Sequence, residues 1–411
     1  MSVEVDWQII DEDEPWAWQP APEIKPQRRA PRRWMLAVAL IPVLAIATAA
    51  AFVAWMYHAR LDQATTQVQQ VARLELQSAA AGDRASFMAL QDPDDPAWRT
   101  RQERIWGRLG LTTLQEFGWE VTDATPQLGQ VSLEPGGAII NIAHQFTVAL
   151  PMSGGPTTAT LQVPQFWRPT PSGWVHAMPG ADFWGTERTQ SGKRITVLYF
   201  QRDADIVEPL IPHMDDLVAR LCDPLPCPSQ ISVAFDNSTG LRRGSLGGGE
   251  IPTVRLTSPH LVGLPADTAS RDELYRAFQI QLVRTLVSRA SGRGGYTNRL
   301  PSSSIVQWEL ARVALAEPVI TEATGRRLAS SPQPLAAISL RSNIVRLDAS
   351  GDLVMSLALH FLDQTLGAGT VERLIPVVGR SATLGEAIRT GLQVDPKTLE
   401  EAWQRYLQDY S

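Results

Sequence analysis

The chain of 411 residues carries a formal net charge of −6 and a pI near 5.6, a balance that argues against a general nucleic-acid binder. Hydrophobic residues make up 44% of it, enough for real cores, and the Pro and Gly content stays below that of a disordered chain. At this length one to three domains are expected.

The first stretch, residues 1–33, begins acidic and aromatic (VEVDWQIIDEDEPWAWQP) and ends basic and Pro-rich. Nothing in it repeats with a helix or strand period, which predicts a disordered cytoplasmic tail. Residues 34–57 (WMLAVALIPVLAIATAAAFVAWMY) hold no charge over 24 positions, where about 20 suffice to cross a bilayer as a helix. Trp34, Trp55 and Tyr57 stand at its ends, where amphipathic rings favour the headgroup zone. Lys25, Arg28, Arg29, Arg32 and Arg33 precede the span, whereas cations are sparse after it. The positive-inside rule therefore places the N-terminus in the cytoplasm and the bulk of the chain outside. Localisation is read as the cell membrane, single-pass, with extracytoplasmic C-terminal domains.

From Ala59 to Ala81 the composition is helical, and AAGD at 80–83 ends that helix. Short helices broken by Pro93 and Pro96 follow. The period then switches to that of strands near 117–123, 138–150, 157–167 and 173–178, separated by PGG, MSGGP and PTPSG turns. Helices followed by antiparallel strands read as an α+β domain over 58–190. The "aGD…F" after the first helix and the closing W-x-R…GGW-x-H-like hairpin resemble the nuclear transport factor 2-like (cystatin-like) cone. That fold hosts enzymes and binding modules alike, so no activity comes with it.

A strand at 193–200, an amphipathic helix at 204–222 and a strand at 230–236 open a second unit, residues 191–411. Between the helix and the second strand lie the only cysteines, Cys222 and Cys227. In an oxidising compartment a short-loop disulfide is the favoured reading, and a lone C-x₄-C is a poor zinc site. The Gly-rich LRRGSLGGGE at 241–250 lacks the Gly-Lys-Ser/Thr of a phosphate loop and precedes a strand. A long helix at 267–290, with Thr268 or Ser270 as cap and Glu273 in support, is followed by a loop and a helix at 305–316. Helices at 355–366, 370–378, 383–391 and 396–410 complete the chain.

This tail resembles the C-terminal region of gluzincin zinc metallopeptidases of the Peptidase MA-like group. Gly367, Leu374, Gly379, Leu384, Ala387, Gly391, Leu399, Trp403 and Tyr406 carry the resemblance. It implies a peptidase-type α+β domain with a helical C-terminus. The family's chemistry needs H-E-x-x-H, two imidazoles on one helix face with a Glu as base, and a downstream Glu as third ligand. The corresponding helix here reads FQIQLVRTLV and has no His; the downstream helix has Trp308 followed by Glu309. The six His, at 58, 144, 176, 213, 260 and 360, stand singly. No G-x-S-x-G elbow occurs. DPDD at 92–95 reads as a Pro-bounded turn, and Asp203, Asp205 and Glu208 as the acidic start of a helix.

The expectation is a membrane-anchored extracytoplasmic protein whose peptidase-like domain is catalytically inactive, a binding or sensing module for a protein or peptide ligand. Its degenerate cleft is placed beside Gln279, Gln281, Arg284, Trp308 and Glu309, and no catalytic residue, metal or cofactor is assigned. The alternative is an extracytoplasmic metallopeptidase or other hydrolase with an unrecognised active site.

Overall fold

A computed structural model describes residues 32–106, 119–121, 126–134, 136–148, 158–237, 253–291, 303–316, 326, 333–340 and 349–409. The tail before Arg32 and the Gly-rich stretch 241–250 lie outside these residues. The chain divides into two compact units, Met1–Asp62 and Gln63–Ser411. Helix α1 (Arg32–Ala81) contains the whole apolar run. Among the described residues it is the one helix long and apolar enough to cross a membrane. Ile46, Val53 and Trp55 are each at least 65% exposed, a state costly in water and natural against lipid. Gly82, at φ +72°, ends the helix, and Asp83 caps α2 (Arg84–Ala89) by accepting from the Ser86 N–H. Asp95 does the same for α3 (Pro96–Ile105), with Pro96 at the first helical position.

The second unit holds two sheets. The first is antiparallel: β1 (Trp119–Val121), β2 (Gln127–Glu134), β3 (Gly137–Val148), β4 (Thr158–Thr170), β5 (Gly173–His176) and, far along the chain, β10 (Leu264–Pro265). One face of β3 presents Ala138, Ile140, Ile142 and Phe146, all buried, as the two-residue strand period requires. Ala138, Ile140 and Trp167 pack with Val68 and Ala72 of α1 in a small cluster of their own. Phe146 and Leu161 belong instead to the large core that runs through the rest of the unit.

After the short helix α4 (Ala181–Trp184), β6 (Glu187–Ser191), β7 (Ile195–Phe200), β8 (Ile231–Asp236) and β9 (Thr253–Thr257) form the second sheet in that order. β6 is antiparallel to β7, whereas β7, β8 and β9 run parallel. A parallel neighbour needs a crossover, and α5 (Ala204–Leu221) provides it between β7 and β8. Its buried side chains, Val207, Leu210, Ile211, Met214, Leu217, Val218 and Leu221, recur at three- and four-residue steps. Asp215 on the same helix accepts the backbone N–H groups of Lys193, Arg194 and Ile195 at 2.8–3.1 Å, pinning the turn before β7.

Following α6 (Pro259–Val262), helix α7 (Thr268–Ala290) packs on β4 and β10 of the first sheet and on β9 of the second. Contact on several sides explains why Ile280 and Leu282 are buried together with Leu274, Phe278, Val283 and Leu286. Its cap is Asp267, which accepts from the Ser270 N–H at 2.7 Å, so neither Thr268 nor Ser270 fills the capping position expected of it. Ser270 instead takes the Thr160 N–H of β4 at 3.0 Å. Helices α8 (Ser303–Arg312), α9 (Ala349–Leu366), α10 (Thr370–Val378), α11 (Leu384–Ala387) and α12 (Pro396–Gln408) close the unit. Trp403 of α12 lies 5.3 Å from the ring of Phe361 and donates its indole N–H to the Gln333 carbonyl at 2.9 Å. The molecule is thus a mixed α+β protein with one apolar N-terminal helix.

Candidate functional site

The residues expected to line a cleft sit on α7 and α8. Gln279 donates from Nε2 to the His213 carbonyl of α5 at 3.3 Å, a contact between helices. The Gln281 carbonyl accepts from the Thr285 hydroxyl at 2.8 Å within α7. Burial alone lowers the pKa of the Arg284 guanidinium from its ordinary value. Trp308 is half-buried, with its ring 6.3 Å from that of His360.

Glu309 is fully buried. Its Oε2 accepts from Arg312 Nε at 2.8 Å and lies 2.7 Å from Nη2 of the same guanidinium. Glu372, on α10, brings Oε1 to 3.2 Å from Arg312 Nε and is itself only 4% exposed. The guanidinium also donates to the last carbonyls of α5: Nη1 to Arg220 at 3.1 Å and Nη2 to Leu221 at 3.3 Å. Arg220 returns a bond to the Val313 carbonyl at 2.8 Å. Two carboxylates therefore share one cation. Glu309 Oε1 and Glu372 Oε2 are left without a hydrogen-bond partner. Burial pushes the Glu309 carboxyl up to about 7, against the pull of Arg312 and with help from the charge of Glu372. This cluster ties α5, α8 and α10 together, and its cationic position is filled by a side chain.

Beyond the expected cleft, two more buried polar groups stand out. In the first sheet, Glu75 of α1 accepts at Oε1 from Gln91 Nε2 and contacts His176 Nδ1, both at 2.7 Å. The His176 ring stacks on Trp167 with centroids 5.2 Å apart, and its carbonyl receives the Trp98 indole N–H at 2.8 Å. His176 is thus tied into the domain interior. DPDD proves to be the expected turn: Arg168 binds Asp92 at 2.6 and 3.1 Å and Asp94 at 2.8 Å, and Asp95 caps α3.

At the second sheet, Asp203 follows β7, whereas Ser258 and His260 follow β9. Asp203 is fully buried, not part of a solvated helix start. Its Oδ1 accepts from Ser258 Oγ at 2.7 Å and lies 2.9 Å from His260 Nδ1. Sequence reasoning missed this group because Asp203 stands more than 50 positions from Ser258 and His260. In the sequence, Asp203 reads as one acidic residue among three and His260 as one lone His among six, with nothing to join them.

Cys222 and Cys227 are disulfide-bonded, with Cα atoms 5.3 Å apart, directly after α5. Among the described residues no three His, Cys, Asp or Glu side chains gather in a way that could hold a metal ion. No family model, curated protein or solved structure matches the chain.

Proposed function

We propose that this is a single-pass membrane protein with a cytoplasmic N-terminus, whose extracytoplasmic part joins a nuclear transport factor 2-like domain to a gluzincin-like domain. The second domain serves as a binding or sensing module for a protein or peptide ligand, without zinc-dependent hydrolysis. The observation that carries this reading is the state of Glu309. It is the carboxylate available on the helix where the resemblance would put a zinc-binding Glu, two residues before the matching position, Ala311, and the Arg312 guanidinium holds it. A buried carboxylate already paired with a cation is a poor ligand, since binding metal would strand the guanidinium in a dry interior. The helix that would supply the His pair contributes Phe278, Leu282 and Val283 to the core. The α1 span and the disulfide support the anchored, extracytoplasmic setting. Thermal unfolding of the full chain in detergent micelles, with and without excess chelator, tests the reading. Identical melting curves are expected; a chelator-induced drop of several degrees would overturn it, because a structural or catalytic zinc stabilises the fold that binds it.

A further inference from the structure

We propose that Asp203 and His260 form a general-base site for acyl-ester hydrolysis at the carboxyl ends of β7 and β9, distinct from the peptidase-like cleft. The first ground is position. In open sheets with parallel strands, ligands bind in the crevice beyond the carboxyl ends of those strands. Asp203 lies three residues past the end of β7, and Ser258 and His260 lie just past the end of β9. The strand between them, β8, is the parallel neighbour of both.

The second ground is the geometry of the pair. Asp203 is 0% exposed and the His260 side chain 12%, so the carboxylate is fully enclosed and the imidazole keeps a small exposed fraction. A carboxylate only accepts, so the 2.9 Å contact makes Nδ1 the protonated nitrogen and leaves the Nε2 lone pair as the base. Ser258 fixes the arrangement twice: its hydroxyl donates to Asp203 Oδ1 at 2.7 Å and accepts the His260 backbone N–H at 3.2 Å. Ser258 is fully buried, which makes it a positioning residue rather than a nucleophile. Asp203 Oδ2 is buried and has no hydrogen-bond partner, an expensive state for a group whose sole task is to brace two strands.

The third ground is the wall beside the imidazole. The Phe183 and His260 rings form a T-shaped pair with centroids 5.6 Å apart, and the Arg202 guanidinium lies 4.4 Å from the Phe183 centroid. An apolar ring next to the base suits the acyl or aryl part of an ester. In the proposed step, His260 Nε2 removes a proton from water as the water oxygen bonds to the acyl carbon. The tetrahedral intermediate then expels the alkoxide as the C–O bond breaks, and the imidazolium returns the proton to it. The products are a carboxylic acid and an alcohol, with no oxidant, reductant or metal required.

The test uses the full chain in detergent micelles with p-nitrophenyl acetate as probe. Hydrolysis should exceed that of free histidine at equal concentration by at least about tenfold, in line with positioned general-base catalysis. His260→Gln should remove that excess, and Asp203→Asn should reduce it by turning the imidazole to the wrong tautomer. In His260→Ala, added imidazole should restore part of the rate beyond the hydrolysis that the same imidazole gives without protein and with His260→Gln, a response that a merely structural histidine does not give. Gln at the edge of the site spares the core, and matching melting curves for wild type and His260→Gln establish that the comparison is between folded proteins. Wild-type hydrolysis no faster than free histidine, or an unchanged rate in folded His260→Gln, would overturn the proposal. Zinc chemistry in the other cleft would remain a separate matter, because the rate is read with chelator present.

Discussion

Glu309 shows how much one buried charge decides. Its carboxyl is pushed up to about 7 because burial disfavours the anion more than Arg312 favours it. In the unfolded chain the same group titrates at its ordinary value of 4.5. Between those two values the folded protein keeps a proton that the unfolded protein has lost. The contribution of Glu309 to stability is therefore full below the ordinary value and declines as pH rises toward neutrality. Glu309→Gln carries no charge to bury and should flatten this dependence. Relative to the wild type it should gain on the order of 1–3 kcal/mol between pH 5 and pH 8, read by denaturant unfolding at the two pH values. Equal pH dependence in the two proteins would show that folding does not raise the Glu309 carboxyl above its ordinary value. At the same scale, Arg312 and Glu372 were not legible as partners of Glu309. Arg312 lies one helical turn away, an ordinary surface pair by spacing, and Glu372 is one acidic residue in the first turn of its helix. Nothing local marks either as buried.

Among elements, a one-sided apolar period made several readable, length and composition revealed α1 and α7 without one, and strands with a broken or absent alternation were missed. The alternation of Ile195, Val197 and Tyr199 announced β7, and the three- and four-residue steps from Val207 to Leu221 announced α5. β2 escaped notice because its ladder is broken by a register shift between Leu128 and Val131. Gly129 lies in that break, where a Cβ would stand 2.6 Å from the Asn141 carbonyl oxygen, so the missing side chain admits the neighbouring backbone. β6 (ERTQS) is exposed at every position and therefore has no apolar alternation to see. In α12, Leu399, Trp403 and Leu407 fall on one face and are buried. Trp403 is the largest of them and fills the space against Phe361 and Tyr406. Trp403→Ala should cost about 3–5 kcal/mol in denaturant unfolding and leave the Gln333 carbonyl without its donor. A loss below about 1 kcal/mol would mean that α12 packs without it.

For the molecule as a whole, the division of labour follows from composition. One apolar helix fits a membrane, and a mixed α+β part with a disulfide fits the space outside it. The parallel strands place Asp203 and His260 together, although the chain separates them by β8 and its crossover. Such a pairing is a property of topology, which no local spacing encodes. The expected cleft depends instead on a resemblance of apolar positions, and its residues turn out to be occupied with helix packing and a buried ion pair. The central claim, that the domain proposed to be gluzincin-like holds no zinc, is tested most directly by counting metal. Elemental analysis of the full chain, purified in detergent from cells supplied with zinc, should find far less than one zinc per chain. One zinc per chain, retained through exhaustive dialysis, would contradict the account.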